Sequence, residues 1–115
     1  MGFGRDQSSR PSIEVPTFHV MPRVERSSRA EADATEIWAY IAQDNVDAAD
    51  RLIDRIEQRL DELARMPMST EAVPYLKENV RRASVGNYVI YFRPIVGGIM
   101  VLRILHGSRQ PEDML

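Results

Sequence analysis

Two apolar runs on either side of a glycine pair constrain this chain more than any other feature. The runs cover residues 87–93 and 99–106, and Gly97-Gly98 lies between them. Runs rich in β-branched and aromatic residues around a glycine turn are typical of a β-hairpin. The second run ends in His106-Gly107-Ser108-Arg109. A histidine near an arginine at a strand end suits either a nuclease site or the edge of a binding surface.

A third run, residues 80–84, precedes the hairpin across a Gly86-Asn87 turn, so the sequence predicts three antiparallel strands. If Val96 lies opposite Ile99, the side chains divide between the two faces of the sheet. One face then carries Tyr88, Ile90, Phe92, Val101, Arg103 and Leu105, and the other carries Val89, Tyr91, Arg93, Met100, Leu102, Ile104 and His106. Because both faces are mostly apolar, one should meet helices. The other should remain an exposed apolar patch rimmed by Arg93 and His106, as at a partner-binding site.

Two amphipathic helices are predicted before these strands. Ser28 and Glu31 form a capping-box pattern at the start of the first helix, and Trp38 is expected in its buried stripe. Asn45 is expected to cap the second helix, which ends before Pro67 because proline lacks the N–H to continue it. The break between the helices is short, so they should fold back as an antiparallel hairpin.

The first strand is expected at residues 21–26, after an extension, residues 1–20, that shows no helical period. The extension contains His19, to which we assign no function. The sequence leaves open whether the extension docks on the domain. The fold class is α+β, in the order β-α-α-β-β-β, with an antiparallel sheet packed against the helical hairpin.

Composition excludes several kinds of site. The chain has no cysteine, which excludes disulfides, thiol catalysis and cysteine-ligated zinc, and which suits a reducing cytoplasm. It contains no apolar run of membrane-spanning length and no signal-peptide pattern, so we expect a cytoplasmic protein without a membrane partner. No carboxylate pair or histidine cluster has metal-ligand spacing, so neither a metal nor a cofactor is predicted.

Charge is unevenly distributed along the chain. Residues 27–65 carry five arginines against ten acidic residues, whereas residues 66–109 carry six basic residues against two acidic ones. The overall net charge of −2 argues against a general or sequence-specific nucleic-acid binder. The basic half predicts a surface that pairs with carboxylates of an acidic partner or with phosphates. Solvated surface remains the alternative for each arginine.

Four segments together carry a resemblance to a known family. They are SSRAEADATEIWAYIAQDN and AADRLIDRIEQRLDELARMP in the predicted helices, and VGNYVIYFRP and IMVLRILHGSR in the predicted strands. Their order resembles the RelE/ParE toxin superfamily of bacterial toxin–antitoxin pairs. The resemblance covers residues 21–110 as a toxin domain and leaves residues 111–115 as a short C-terminal tail.

The superfamily has members that cut mRNA on the ribosome and ParE-like members that poison DNA gyrase without making a bond. The resemblance to the mRNA-cutting members fails at three places: Val89 and Gly107 stand where they tend to carry basic residues, and residues 110–115 lack their aromatic residue. The His-Gly-x-Arg ending resembles the ParE branch. The resemblance therefore implies a ParE-like gyrase inhibitor of a type II module, with no catalytic residue. The alternatives are an mRNA endonuclease using His106, Arg109 and Arg82, and a non-toxic antitoxin-binding relic.

The implied partners are DNA gyrase and a cognate ParD-like antitoxin, which forms a hetero-oligomer with the toxin. The antitoxin's acidic, amphipathic C-terminal segment is expected to fold on binding, as a helix with or without an extended strand. Partner contacts are expected from aromatic and basic residues of the first helix and the sheet, namely Tyr40, Arg82, Tyr91, Arg93, Arg103, His106 and Arg109.

Overall fold

The computed structural model describes residues 22–115. Its helices and strands are β1 (Arg23–Arg26), α1 (Ser28–Ala42), α2 (Val46–Arg65), β2 (Glu71–Ala72), β3 (Arg81–Val85), β4 (Tyr88–Ile95) and β5 (Gly98–His106). A 3₁₀ turn, Pro111–Asp113, follows β5. The predicted extension, with His19, lies outside the described residues, as does Met21, the expected first residue of β1.

The α+β class is confirmed, with two helices and a five-stranded sheet in the order β1-β5-β4-β3-β2. The sheet is mixed rather than antiparallel, because β1 runs parallel to β5 with Arg23 opposite Gly98. Nothing in the sequence fixes this direction, since two helices and a loop separate β1 from the other strands. The two-residue strand β2 was not predicted, because so short a segment beside Pro67 and Pro74 has no alternation to recognise.

Side-chain caps begin both helices. Asn45 accepts a hydrogen bond from the Ala48 N–H at 3.0 Å, as predicted. The first helix is capped by Ser27 instead of Ser28, and its Oγ accepts from the Ala30 N–H at 3.0 Å. Each cap satisfies an N–H that has no partner within the helix.

Trp38 is not a core residue, contrary to the prediction. It is 37% exposed, and its indole N–H donates to the Asp50 carboxylate of α2 at 2.8 Å. The side chain thus bridges the helical hairpin at its surface. The indole N–H needs a polar partner, which the apolar side of the hairpin does not offer.

The main core lies between the helical hairpin and one face of the sheet. Its large buried members are Ile56, Leu60 and Leu63 of α2 with Ile90, Phe92, Ile99, Val101 and Ile104 of the sheet. At ~1.5–3 kcal/mol for each fully buried large aliphatic or aromatic side chain, this layer dominates the stabilisation.

A β-bulge places the side chains at the end of β5 on the opposite faces of the sheet from those predicted. Tyr91 pairs with Arg103, but Phe92 pairs with Val101, so Leu102 is an extra residue in β5. One extra residue inverts the alternation of every side chain that follows it. Ile104 therefore joins the main core, and Leu105 joins a cluster on the opposite face.

The second sheet face is covered, so the predicted exposed apolar patch is wrong. Val73 and Val80, which flank the loop after β2, are buried there against Tyr91 and Leu105. Leu76, Met114 and Leu115 pack on the same cluster. The loop and tail were not assigned to a core because neither has a hydrophobic period.

Gly98 lets β1 approach the hairpin. A Cβ at this position would lie 1.8 Å from the Arg23 carbonyl oxygen, so no other residue fits without displacing β1. Gly97 supplies the turn itself, with φ of +82°, a left-handed conformation that favours glycine.

Candidate functional site

An open groove of about 780 Å³ lies where α1, α2 and the ends of β4 and β5 meet. Its polar lining includes Glu36, Tyr40, Arg55, Asn87, His106 and Arg109, and its apolar lining includes Ile37, Ile41, Leu52, Tyr88 and Ile104. Three of the seven predicted partner residues, Tyr40, His106 and Arg109, therefore share one surface.

His106 is held by local contacts at the end of β5. The Ser108 backbone N–H donates to its Nδ1 at 3.1 Å, and the Ser108 Oγ lies 2.8 Å from the same nitrogen. Because Nδ1 accepts a backbone hydrogen bond, the neutral ring carries its proton on Nε2. The ring packs edge-on against Tyr88, with centroids 5.3 Å apart. Among residues 22–115, no carboxylate hydrogen-bonds to this imidazole to orient it as a general base.

Tyr40 and Arg109 both line the groove. Tyr40 is on α1 and 72% exposed, off the apolar stripe as the helical period predicts. The Arg109 backbone N–H donates to the His106 carbonyl at 2.9 Å, which closes the turn that follows β5. Both side chains are available to a partner that enters the groove.

Three other predicted residues lie elsewhere. Tyr91 is only 4% exposed. It belongs to the second cluster, which lies on the second face of the sheet and consists of Val73, Val80, Tyr91 and Leu105. Arg82 is paired across the sheet with Tyr91, so it shares that face, and its Nη2 lies 3.3 Å from a Glu71 carboxylate oxygen. Arg93 is exposed opposite Met100, at the other end of β4 from Tyr88. The structure does not bring Arg82 together with His106, since these side chains lie on opposite faces of the sheet.

Arg103, one of the predicted partner contacts, is buried. It is 9% exposed, and its Nε and Nη2 each donate to the Asp33 carboxylate at 2.8 Å. Its Nη1 donates to the Met114 carbonyl at 2.8 Å, and the Ile104 N–H donates to Asp33 at 2.9 Å. The hydrogen bond to Asp33 raises the pKa of Arg103, which stays charged. This network joins α1, the edge of β5 and the C-terminal turn.

Asp33 is the residue that sequence analysis missed. It follows Ala30 by three positions and precedes Ile37 by four, so it lies on the buried stripe of α1. A carboxylate on such a stripe indicates a buried cationic partner, because an unpaired buried charge is costly. That signal was present in the sequence, although nothing local identified Arg103 as the partner.

Two further properties of residues 22–115 bear on function. No three His, Cys, Asp or Glu side chains within this range are grouped to hold a metal ion. None of the helices in the same range is long and apolar enough to cross a membrane.

The fold resembles that of a protein of known structure. It matches a chain of a solved structure described as the chromosomal ParDE TA system from P. aeruginosa, with a TM-score of 0.62 and 20% identity. The match covers 75% of this chain and 96% of that one, and at this identity it shows the fold alone. No curated protein matches the sequence.

A family model identifies the protein family of this chain. The model for the ParE toxin of type II toxin–antitoxin system, parDE, matches residues 24–111. The chain belongs to this family, and it is a ParE-type toxin of a ParDE toxin–antitoxin system.

Proposed function

We propose that the toxin acts by binding DNA gyrase and trapping the cleaved-DNA state, that it makes no bond itself, and that a cognate ParD-like antitoxin silences it. The observation that carries this proposal is the groove. It gathers Tyr40, His106 and Arg109 on one surface with an apolar floor, as in a recognition site.

The surroundings of His106 support binding over catalysis. Cleavage of RNA by its 2′-OH needs a base for that hydroxyl, a cation for the phosphate and an acid for the leaving oxygen. Nδ1 of His106 is already engaged by Ser108, and Arg82 is on the other face of the sheet. Val89, at the first place where the resemblance to mRNA-cutting toxins fails, packs against the second cluster rather than His106.

The charge of the groove supports an acidic partner. No ion pair joins Arg55 or Arg109 to another residue within 22–115. Asp33, which also lines the groove, is neutralised by Arg103, so among the described residues Glu36 is the remaining carboxylate there. An acidic antitoxin segment would supply the missing carboxylates, and its apolar residues would cover the floor. Because gyrase acts on the chromosome, the toxin and the hetero-oligomer with its antitoxin would be cytoplasmic.

Expression in cells with and without the antitoxin tests the proposal. We expect the toxin alone to induce the DNA-damage response before bulk translation falls, and co-expression of the antitoxin to remove both effects. An immediate loss of translation without DNA damage would identify an mRNA endonuclease instead. Growth unaffected by the folded toxin would identify a non-toxic antitoxin-binding protein.

A further inference from the structure

The outer edge of β5 is only partly paired. β1 pairs with β5 from Gly98 to Val101, so beyond the bulge the edge faces α1 and the groove. Antiparallel ladders alternate between residues that bond to the neighbouring strand and residues whose N–H and C=O point away from it. The Gly107 N–H bonds to the Asn87 carbonyl at 2.8 Å, so His106, opposite Tyr88, points its backbone groups away from β4. Ile104 does the same, and its N–H reaches Asp33.

Two of these four outward groups are already used. Asp33 accepts the Ile104 N–H, and Arg109 donates its N–H to the His106 carbonyl. By this alternation neither the Ile104 carbonyl nor the His106 N–H bonds to β4, and no turn or side-chain hydrogen bond within residues 22–115 uses either group. These two groups flank Leu105 and face the groove.

Their arrangement specifies the direction of an added strand. A carbonyl on one residue and an N–H two residues later can both bond to a single residue of a strand that runs parallel. An antiparallel strand would need the Ile104 N–H, which Asp33 occupies. An added segment would therefore run parallel to β5, as β1 does beside the first half of the same strand.

The sheet has a second open edge at Ser84. Val85 and Tyr88 close a two-residue turn, so Ser84 points its backbone groups outward, beyond the last pair between β3 and β2 at Arg82. The groove beside Ser84 is lined mainly by polar residues of α2, of which Arg59 and Glu62 already pair at 3.0 Å. Arg55 lines both grooves. The β5 edge differs because it combines an apolar floor with Arg109, which lacks an ion-pair partner among the described residues.

We infer that an acidic segment of the antitoxin docks in extended form along the outer edge of β5, parallel to it. One of its residues bonds to the Ile104 carbonyl and the His106 N–H, and its carboxylates meet Arg55 and Arg109. The inference rests on the proposed antitoxin partnership. A phosphate chain would satisfy the arginines but has no N–H for the Ile104 carbonyl, so the backbone pattern favours a polypeptide.

Amide hydrogen exchange of the isotope-labelled toxin tests this docking, with the purified cognate antitoxin as the probe. We expect exchange at the His106 N–H to slow by at least about tenfold in the complex. The Gly107 N–H, already bonded to Asn87, serves as the internal reference. Protection of Ser84 with free exchange at His106 would overturn the inference while leaving the partnership intact. Calorimetry on the same samples reports the partnership itself, and a lack of binding would refute both.

Charge reversal at single arginines is a second test of the docking. Arg109→Glu should weaken antitoxin binding by about tenfold or more, because the added carboxylate repels the acidic segment. Arg59→Glu, on α2 outside the groove, is the matched control and should change affinity by less than about threefold. Weakening by Arg93→Glu but not by Arg109→Glu would locate the antitoxin on the second face and contradict the inference. If a DNA duplex binds the toxin, loses affinity in Arg109→Glu and leaves the His106 N–H exchanging freely, the groove is a phosphate-binding site instead.

Discussion

Removing the Asp33 carboxylate should destabilise the toxin more than any surface change. Asp33→Ala deletes two hydrogen bonds from Arg103 and one from the Ile104 N–H, and it leaves the guanidinium of the buried Arg103 without its counter-charge. Removing one partner of a buried ion pair costs ~3–5 kcal/mol, because the other charge stays desolvated. A small domain is stable by only ~5–15 kcal/mol, so much of the free energy of unfolding would be lost.

Urea unfolding of the parent and variant measures this loss directly. The matched control is Glu57→Ala, which removes the more exposed pair between Arg26 and Glu57 and should cost ~0.2–1 kcal/mol. The double variant Asp33→Ala/Arg103→Met should recover part of the loss, because it removes the buried charge as well. A cost below about 1 kcal/mol for Asp33→Ala, equal to the control, would refute the assignment of this network as the link between α1, β5 and the C-terminal turn.

Three further changes have defined outcomes. His106→Gln should leave toxicity within a few-fold of the parent in a growth assay, because an amide can replace the contact with Ser108; a ~10²–10⁴-fold loss in folded protein would indicate a general base. Arg26 lowers the pKa of Glu57, so this pair stabilises the fold above the ordinary pKa of 4.5 and its contribution is lost as pH falls through the lower folded value. The stability gap between the parent and Glu57→Gln should therefore close in acid, as read by urea midpoints across pH. Gly98→Ala should lower the melting temperature or prevent folding, since its Cβ would meet the Arg23 carbonyl, and an unchanged melting temperature would contradict that contact.

Local features of the fold were predictable because they depend on neighbouring residues. The Asn45 cap, the end of α2 before Pro67 and the Gly97 turn each follow from the conformation that one residue type favours. The bulge at Leu102 and the direction of β1 were not predictable, since both depend on pairing between distant segments. The bulge alone accounts for the wrong faces assigned to the end of β5.

The residues of the candidate site were predictable from the local sequence, but their arrangement in space was not. Tyr40 is off the apolar stripe of its helix, and His106 and Arg109 follow an apolar strand, so each could be selected from the sequence. That they share a groove depends on how α1 packs against β5. The sequence does not distinguish the buried Arg103 from the exposed arginines, because its partner Asp33 lies on a different element.

Supercoiling by purified gyrase is the most direct test of the proposed function. We predict that purified toxin inhibits supercoiling and accumulates cleaved DNA, that the antitoxin restores supercoiling, and that ribosome-bound mRNA stays intact in the presence of the toxin. Unimpaired supercoiling together with codon-specific cleavage of mRNA in a translation extract would contradict the account and assign the toxin to the mRNA-cutting branch.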